Sequence, residues 1–449
     1  MSDHKLVVIG GDAAGMSAAS KVRREHPERE IVVFERGRHT SYAACGMPYY
    51  IAGQIDSAEK LVARAPEVFR EKQRIDVRTR HEVVAIDTAG RRVRVRDLEA
   101  EREFEETWDD LLIATGAAPI VPDLPNVRAP GVFSLSTLQS GIDVFEDIER
   151  HAPRRAVIVG GGYIGIEMAE ALLDRNLEVT LIDMAPQVMN TMDPDMADGI
   201  AKTMREAGVE VFLDEALKTI ETGPDGRVCQ VTTDQRRLDA DLVILGLGIR
   251  PASELAKAAG IELGAAGAIR VDSHMRTSVP HVWAAGDCAE SLHIVKEEPV
   301  FIALGTVANK HGLVAGINLS GGDMQFPGVL GTAITRFQDL EIARTGLSEK
   351  EAKDTGIAWR AKTIEALTRS HYFPGAGKIK VKLVVEDGTG RLLGGQIVGR
   401  VGAAKRIDTI AAAITARMTA EQLSYLDLAY APPFSPVWDP VQTAARTLS

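Results

Sequence analysis

Cysteine is scarce in this chain of 449 residues, which contains only Cys45, Cys229 and Cys288. Three thiols do not make a disulfide framework, and these three do not have the spacing of a metal site. We therefore expect no metal and a reducing, cytoplasmic setting. Cys229 lies in an alternating strand pattern and Cys288 directly follows a strand end, so both are predicted to be structural.

Basic charge excess and long apolar runs are also missing. The net charge is −11, which argues against a general binder of nucleic acid or anionic membranes but not against a local pocket for a small anion. No run is long enough to span a bilayer, and residues 1–11 lead directly into a strand and a glycine turn without a signal-peptide pattern. The length predicts roughly three domains.

A glycine-rich turn follows the first apolar run. Residues 5–9 predict a buried strand, residues 10–15 read Gly-Gly-Asp-Ala-Ala-Gly, and a helix and a second strand lead to Glu35. In such a βαβ unit the glycines admit a pyrophosphate, the helix N-terminus favours its charge, and the acid binds a ribose hydroxyl. Asp12 replaces the middle glycine, so a glycine turn without a ligand is the alternative for this motif taken alone.

The same pattern recurs from Gly160 onwards. Residues 160–165 read Gly-Gly-Gly-Tyr-Ile-Gly after a predicted strand, and the next predicted strand ends at Asp183. This glycine pattern is complete, and its acid lies near the expected spacing of about 20 residues. Met184 follows and no arginine is adjacent, which favours NAD over NADP. Two such units predict an internal duplication with two dinucleotide sites, typical of hydride transfer between cofactors.

Cys45 follows Glu35 by ten residues, within the segment Ser-Tyr-Ala-Ala-Cys-Gly-Met-Pro-Tyr-Tyr. Gly46 and Pro48 predict a tight turn into a helix. Because a helix N-terminus favours the thiolate, which is the nucleophilic form, we predict that Cys45 is reactive. A buried structural thiol is the alternative.

Further elements are predicted between and after these units. They are a helix and a strand within 61–84, an exposed hairpin at 91–109, buried strands at 110–116, 241–245 and 282–287, a proline-marked linker at 119–130, a strand pair at 378–385 and 391–398 joined by a turn, and a helix at 404–418. From about residue 326 the pattern becomes a mixture of helices and strands.

With these motifs the chain resembles the pyridine nucleotide–disulfide oxidoreductase family over essentially its whole length. Residues 114–116 (Ala-Thr-Gly) and 285–287 (Ala-Gly-Asp) add to the match. The resemblance implies an α/β fold with two Rossmann-like dinucleotide-binding domains, for FAD and NAD(P)H, and a C-terminal α+β dimerisation domain. It places the FAD domain at 1–120 and 249–322, the NAD(P)H domain at 121–248, and the dimerisation domain at 323–449.

The resemblance also implies cofactor contacts. Glu35 and Asp287 would hold the adenosine ribose and the flavin ribitol, and Tyr163 and Glu167 would lie beside the nicotinamide. The implied set is Gly10, Gly11, Ala14, Gly15, Glu35, Arg36, Val83, Thr115, Gly116, Gly160, Gly162, Tyr163, Ile164, Gly165, Glu167, Asp183, Gly248, Gly286 and Asp287.

The number of thiols points to a single-cysteine branch of the family. Relatives resembling glutathione reductase carry a C-x4-C pair, but Tyr50 occupies the second position here. Cys45 must then pair with an exogenous thiol or become a sulfenic acid. The branch includes coenzyme A-disulfide reductases, NADH oxidases, NADH peroxidases and CoA-dependent sulfur reductases. Ala13 stands where relatives with stable sulfenate chemistry carry a histidine, which counts against peroxide chemistry.

The C-terminal tail is most similar to that of coenzyme A-disulfide reductases, in which two tyrosines of the partner subunit reach the sulfur. The matching residues are Tyr372 and Tyr430, whose hydroxyls would protonate departing CoA thiolate. Interface packing is the alternative. Two departures from the family leave the physiological disulfide open. Ala44 stands before the cysteine where coenzyme A-disulfide reductases often carry asparagine, and a tail lysine that helps to bind CoA in the family is replaced near Trp438.

Contacts with CoA are carried over by position. They are Ser17, Lys21, Arg24, Ser41 and His311. Lys21 and Arg24 share a helix face and are suited to hold a phosphate, although a solvated basic face is the alternative.

We therefore expect a homodimeric FAD enzyme that uses NADH, or NADPH, to reduce coenzyme A disulfide or a related small disulfide or persulfide at Cys45. CoA would be the substrate or a mixed-disulfide adduct. An NADH oxidase, a CoA-dependent sulfur or polysulfide reductase, and a flavin redox sensor without appreciable turnover are the alternatives.

Overall fold

Two five-stranded parallel sheets and one five-stranded antiparallel sheet organise residues 4–449, the part of the chain that the computed structural model describes. The first region contains β1 (Leu6–Ile9), α1 (Ala13–Glu25), β2 (Ile31–Glu35), α2 (Met47–Ile51), α3 (Pro66–Gln73), β3 (Asp76–Thr79), β4 (His81–Asp87), β5 (Arg92–Asp97), β6 (Arg102–Thr107), β7 (Asp110–Ile113) and β8 (Ala117–Pro119). The second contains β9 (Val132–Phe133), α4 (Leu138–His151), β10 (Arg155–Val159), α5 (Tyr163–Asp174), β11 (Glu178–Ile182), α6 (Pro194–Glu206), β12 (Glu210–Phe212), β13 (Leu217–Thr222), β14 (Val228–Thr233), β15 (Arg237–Asp239) and β16 (Leu242–Leu245).

The chain then returns to the first region before it forms the C-terminal domain. The returning elements are β17 (Ile249–Pro251), α7 (Glu254–Ala258), β18 (Val282–Ala284), β19 (Ser291–His293), β20 (Glu298–Val300) and α8 (Gly305–Leu319). The C-terminal elements are β21 (Ala333–Phe337), β22 (Leu340–Gly346), α9 (Glu349–Asp354), β23 (Trp359–Leu367), β24 (Lys378–Glu386), β25 (Leu392–Gly399), α10 (Ile407–Thr415), α11 (Ala420–Ser424) and α12 (Pro440–Arg446).

The two parallel sheets confirm the predicted duplication. Their strand orders are β18-β7-β1-β2-β3 and β9-β16-β10-β11-β12, and a three-stranded antiparallel sheet accompanies each, β4-β5-β6 and β13-β14-β15. They differ at one edge. In the first sheet the strand beside β7 is β18, which comes from the returning chain, whereas in the second sheet the strand beside β16 is β9, which precedes the unit.

Both faces of the first parallel sheet are buried, and successive side chains of its central strand pack on opposite faces. In β1, Leu6 and Val8 pack with α1 and α8, whereas Val7 and Ile9 pack with the β4-β5-β6 sheet. The continuous apolar run predicted at this strand follows from burial on both sides. The first residues after β1 therefore emerge at the carboxyl edge of the sheet, where ligands of such folds bind.

The C-terminal sheet has the order β21-β22-β25-β24-β23 and is antiparallel throughout. The predicted pairing of 378–385 with 391–398 is confirmed, because β24 pairs with β25 along its length. The helix predicted over 404–418 is shorter. Residues 404–406 form a 3₁₀ turn, and α10 ends at Thr415 because Arg417 adopts a left-handed φ of 54°.

Two other predictions needed correction. The stretch 61–84 holds two strands, β3 and the start of β4, because Arg80 between them has a left-handed φ of 59°. The hairpin at 91–109 is not solvated on both faces, since Val93 and Val95 are fully buried under the first parallel sheet. No helix within residues 4–449 is both long and apolar enough to cross a bilayer.

Candidate active site

The two glycine loops follow β1 and β10 and have matching backbones. Gly10 and Gly160 both have a φ of +106°. A Cβ at either position would collide with a carbonyl oxygen, of Ala114 in the first loop and of Gly246 in the second. Both loops therefore require glycine, and both hold the chain close to the neighbouring strand end.

A carboxylate closes each loop. Glu35 Oε2 accepts from the Gly11 amide at 2.8 Å, and Asp183 Oδ2 accepts from the Gly161 amide at 2.6 Å. The second oxygen of each acid also accepts a hydrogen bond. The Gly37 amide donates to Glu35 Oε1 at 2.6 Å, and the Ala185 amide donates to Asp183 Oδ1 at 2.8 Å. The acids predicted to bind ribose are thus rigidly placed at the carboxyl ends of β2 and β11.

These residues fit two dinucleotides. Within the described chain, α1 and α5 begin at the loops without a side-chain cap, so their first-turn amides can accept a diphosphate. Near the first loop, Asp287 Oδ1 is buried and has no hydrogen-bond partner in residues 4–449. Burial raises the pKa of Asp287 to about 6. A buried acceptor of this kind suits a polyol hydroxyl such as that of a flavin ribitol.

Cys45 occupies the 3₁₀ turn of residues 44–46, immediately before α2, and Pro48 lies in the first turn of that helix. The predicted turn into a helix is confirmed. The predicted preference for thiolate is not found. Cys45 is exposed, but partial desolvation by its neighbours, followed by the negative charges of Glu167 and Asp287, raises the pKa of its thiol. Because α2 has five residues, its dipole is too small to reverse these effects.

Asp12, the residue that departs from the first glycine pattern, fastens the Cys45 segment to the loop. Its Oδ1 accepts from the Tyr42 amide at 3.1 Å, and the Ser41 amide donates to the Gly11 carbonyl at 3.2 Å. Burial raises the pKa of Asp12 to about 6, and Glu35 and Asp287 add to the shift. This role was not predicted from the sequence, although the unusual acid in the loop was the signal for it.

Helix α5, which begins directly after the second loop, carries Glu167 towards Cys45. Glu167, one turn after Tyr163, is close enough to Cys45 for its charge to raise the pKa of the thiol. Glu167 Oε1 accepts from the Thr335 hydroxyl at 2.7 Å, and burial raises the pKa of this acid too. Residues from both glycine units and from β21 therefore meet around one sulfur.

The other predicted cofactor residues are placed around the same loops. Arg36 is exposed, 3.8 Å from Glu82, and Val83 is half-buried in β4. Thr115 donates its hydroxyl to the Ala252 carbonyl at 2.6 Å. Of the remaining members, Ala14 and Gly15 lie in the first turn of α1, Ile164 and Gly165 lie in the first turn of α5, and Gly116, Gly162, Gly248 and Gly286 lie in connections next to strands or helices. Their contacts with cofactors stay predictions.

The predicted CoA residues differ in their partners and exposure. On α1, Ser17 donates to Asn309 Oδ1 of α8 at 3.0 Å, Lys21 is paired with Glu25, and Arg24 is exposed. Ser41 lies beside the first loop, with a left-handed φ of 47°. Asn309 was not identified from the sequence. Its contact with Ser17 places it at the exposed junction of α1 and α8.

His311 does not support a CoA contact, because none of its surface is exposed. Its Nδ1 accepts from the Gly286 amide at 3.4 Å, and its Nε2 lies 3.1 Å from the Ser291 hydroxyl. Burial lowers the pKa of His311 to about 4, so the ring is neutral. The histidine thus lies behind the Gly286 turn, on the inner side of α8.

Tyr372 and Tyr430 belong to an exposed aromatic surface of the C-terminal domain. Their exposed fractions are 65% and 46%, and Phe434 and Trp438 are exposed nearby in the sequence. Exposed aromatic clusters of this kind are typical of protein interfaces. The role of both tyrosines in protonating a thiolate stays a prediction.

Two family models together match most of the chain, and known proteins match its full length. A model described as pyridine nucleotide-disulphide oxidoreductase matches residues 4–312, and one described as the dimerisation domain of that group matches 332–440. The NAD(P)H sulfur oxidoreductase (CoA-dependent) of Pyrococcus furiosus is 44% identical over 449 residues, which is 100% of both chains. The coenzyme A disulfide reductase of Staphylococcus haemolyticus is 30% identical over 432 residues, which is 96% of both. The solved structure of reduced Bacillus anthracis CoADR-RHD has a TM-score of 0.96 and 35% identity, covering 100% of this chain and 80% of that chain.

Removing the charge of Glu167 is expected to ease the ionisation of Cys45. In a pre-reduced Cys229→Ser background, which leaves Cys45 as the accessible thiol, Glu167→Gln is expected to shift the pH profile of iodoacetamide alkylation to lower pH. Glu170→Gln is the control, since Glu170 lies on the same helix but is bound to Arg336. Identical profiles for Glu167→Gln and its parent would contradict this electrostatic account.

Asp287→Asn is expected to stabilise the FAD-free protein near pH 7 while weakening FAD binding. The folded pKa of Asp287 lies above its unfolded value, so ionisation destabilises the fold as pH rises through about 6. Asparagine cannot ionise, so above about pH 6 the variant is expected to gain at most about 3 kcal/mol in its free energy of unfolding. This gain disappears below about pH 4, where the aspartate is protonated in both the folded and the unfolded state. The FAD dissociation constant is expected to rise on the order of tenfold.

Thermal unfolding at pH 4 and pH 7.5 and titration with FAD measure both effects. Asp123→Asn, on the exposed linker, is the matched control. A stability difference that is the same at both pH values would show that Asp287 is not the titrating group.

Proposed function

The chain belongs to the pyridine nucleotide-disulphide oxidoreductase family, and on that premise we propose that it is an NAD(P)H-dependent flavoprotein that reduces disulfides or persulfides of coenzyme A through Cys45. The observation that carries the proposal is the convergence of two dinucleotide units on one cysteine without an internal partner. The partner position is occupied by Tyr50, which is buried and stacked on Phe145 with ring centroids 4.6 Å apart. All three cysteines are free.

The first glycine loop, Glu35 and Asp287 would hold FAD, and the second loop and Asp183 would hold the pyridine nucleotide. When bound, FAD supplies the two-electron relay between nicotinamide and sulfur. NADH is the proposed donor, because Asp183 is buried and bonded to Gly161, and the residue after it is the exposed Met184 rather than a cation. A 2′-phosphate would face the carboxylate without compensation.

The sulfur chemistry takes place at Cys45. Its thiolate attacks one sulfur of R–S–S–R, so that a Cys45–S–S–R bond forms and the original S–S bond breaks. The departing thiolate takes a proton from Tyr372 or Tyr430 of the partner subunit. Two electrons then cleave the mixed disulfide, which returns the Cys45 thiolate and releases a second thiolate that is protonated in turn. The sum is R–S–S–R + NADH + H⁺ → 2 R–SH + NAD⁺.

The electrostatics around Cys45 support a mixed disulfide as the resting form. Partial desolvation, Glu167 and Asp287 all disfavour a negative sulfur, so the reduced form gains no stabilisation as a thiolate relative to the uncharged disulfide. A thiol of high pKa is also a poor leaving group, so an external thiol displaces it slowly. The mixed disulfide would therefore persist until electrons arrive from the cofactor.

CoA would be held at the junction of α1 and α8. Ser17 and Asn309 meet there, and the exposed Arg24 offers a cation for a phosphate. Lys21 lies on the same side of α1, although its ammonium is already paired with Glu25. His311 is not included, because it is fully buried.

Cys45→Ser tests the proposal. The variant is expected to retain FAD and to accept electrons from NADH, but to lose reduction of CoA disulfide and CoA persulfide by at least about 100-fold, because no mixed disulfide can form. Cys229→Ser is the matched control and should retain full turnover, since Cys229 lies in β14, far along the chain from both loops.

Thiol release and oxygen uptake per NADH separate the candidate reactions. The proposal expects about two thiols per NADH in the wild-type protein and little oxygen uptake. Unchanged disulfide reduction in Cys45→Ser would refute the role of the sulfur. Oxygen uptake that matches NADH consumption, with few thiols released, would instead identify an NADH oxidase.

A further inference from the structure

The turn of residues 285–288, which we call the Asp287 turn, follows β18 and approaches the first glycine loop. Gly286 has a φ of +82°, and a Cβ at this position would lie 2.8 Å from the Cβ of Ala14, in the first turn of α1. The Asp287 turn therefore depends on glycine to bring its carboxylate close to the loop that would hold FAD.

The carboxylate in this turn has an unused acceptor. Asp287 Oδ1 is buried and has no hydrogen-bond partner within residues 4–449, so it is suited to accept from a bound hydroxyl. On the far side of the carboxylate the chain is fixed, because the Cys288 carbonyl accepts from the Ile269 amide at 2.8 Å. On the near side the support comes from the Gly286 amide.

His311 of α8 receives this amide. The Gly286 amide donates to His311 Nδ1 at 3.4 Å. Since an amide N–H can only donate, Nδ1 carries no proton, and the neutral ring must have its proton on Nε2. His311 Nε2 lies 3.1 Å from the Ser291 hydroxyl and donates to its oxygen. One tautomer of the fully buried ring therefore satisfies both contacts.

Helix α8 fixes the position of this ring relative to the first glycine loop. The Phe326 ring packs edge-on against the imidazole, with ring centroids 4.4 Å apart. At the next position of the helix, a Cβ on Gly312 would collide with the Ala14 carbonyl oxygen, so α8 lies directly against the start of α1. The same helix thus contacts the Asp287 turn through His311 and the first glycine loop through Gly312.

We propose that His311 is a positioning residue that holds the Gly286 amide and thereby directs the Asp287 carboxylate towards a polyol hydroxyl of FAD. The inference rests on the proposed function, in which the first glycine loop and Asp287 hold FAD. A carboxylate that is already in place loses less conformational freedom when the ligand binds. Loss of the contact is expected to raise the FAD dissociation constant about two- to tenfold.

Two substitutions of His311 separate its acceptor from its bulk. His311→Leu removes the acceptor and is expected to weaken FAD binding about two- to tenfold, whereas His311→Asn keeps an oxygen near the position of Nδ1 and should restore most of the affinity. Titration of the full-length chain with FAD, followed by flavin fluorescence, measures both. His293→Leu is the matched control, because the buried His293 also accepts backbone amides at Nδ1, from Val295 and Lys296 at 3.2 Å, but in the β19–β20 hairpin. It should leave the FAD dissociation constant unchanged.

A double-mutant cycle with Asp287→Ala tests whether the histidine acts through the carboxylate. His311→Leu is expected to weaken FAD binding in the wild-type background and to add little in the Asp287→Ala background, because the group that it positions is then missing. If His311→Leu does not fold, Ser291→Ala replaces it in the cycle. That variant leaves the imidazole in place but removes the acceptor that holds its proton on Nε2.

The outcomes separate this inference from the proposed function. An equal loss of FAD affinity from His311→Leu, or from Ser291→Ala in its place, in both backgrounds would assign the residue a general packing role and overturn the inference. Unchanged affinity in these variants, or a His311→Asn variant as weak as His311→Leu, would also overturn it while wild-type FAD binding stays intact. A wild-type protein that binds no FAD would overturn the proposed function and this inference together.

Discussion

The proposed chemistry depends on a single thiol whose ionisation is disfavoured by its surroundings. Partial desolvation and the charges of Glu167 and Asp287 raise the pKa of Cys45, so the thiolate is disfavoured relative to the thiol in the isolated chain. A mixed disulfide with an external partner would leave this sulfur without a negative charge. The absence of a second cysteine at Tyr50 means that this partner has to come from outside the polypeptide. The fold thus combines an electrostatic reason for a mixed disulfide with a sequence that cannot form one internally.

The site exists because one βαβ unit occurs twice and the chain interleaves the two copies. In each copy a carboxylate accepts from the second residue of the glycine loop, which fixes the loop, the acid and the helix N-terminus as one rigid group. The returning strand β18 brings Asp287 to the first copy, and α5 brings Glu167 from the second. The C-terminal domain adds Thr335, whose hydroxyl donates to Glu167. All three regions of the chain therefore contribute to the surroundings of Cys45.

The glycine loops and the strand ends could be predicted from the sequence, because each depends on residues that are close together in the chain. The glycine loops depend on positive φ angles and close backbone contacts, and the strand ends depend on apolar runs, so neighbouring residues contain both signals. The ionisation of Cys45 could not be predicted in this way, because its carboxylates come from distant segments. His311 was carried over by position from the family resemblance, and that correspondence does not show that its side chain is fully buried on the inner side of α8 in this chain. Lys382 continues the alternation of Lys378 and Lys380 but is buried, because Asp193 and Asp195 of another segment pack over its ammonium.

The mass of the intact protein, purified without reductant, tests the central claim most directly. The account predicts a species heavier than the polypeptide by one coenzyme A, located at Cys45 by peptide mapping and released by NADH. A protein that carries a free thiol or a single added oxygen at Cys45, and is nevertheless fully active on CoA disulfide and CoA persulfide, would contradict it.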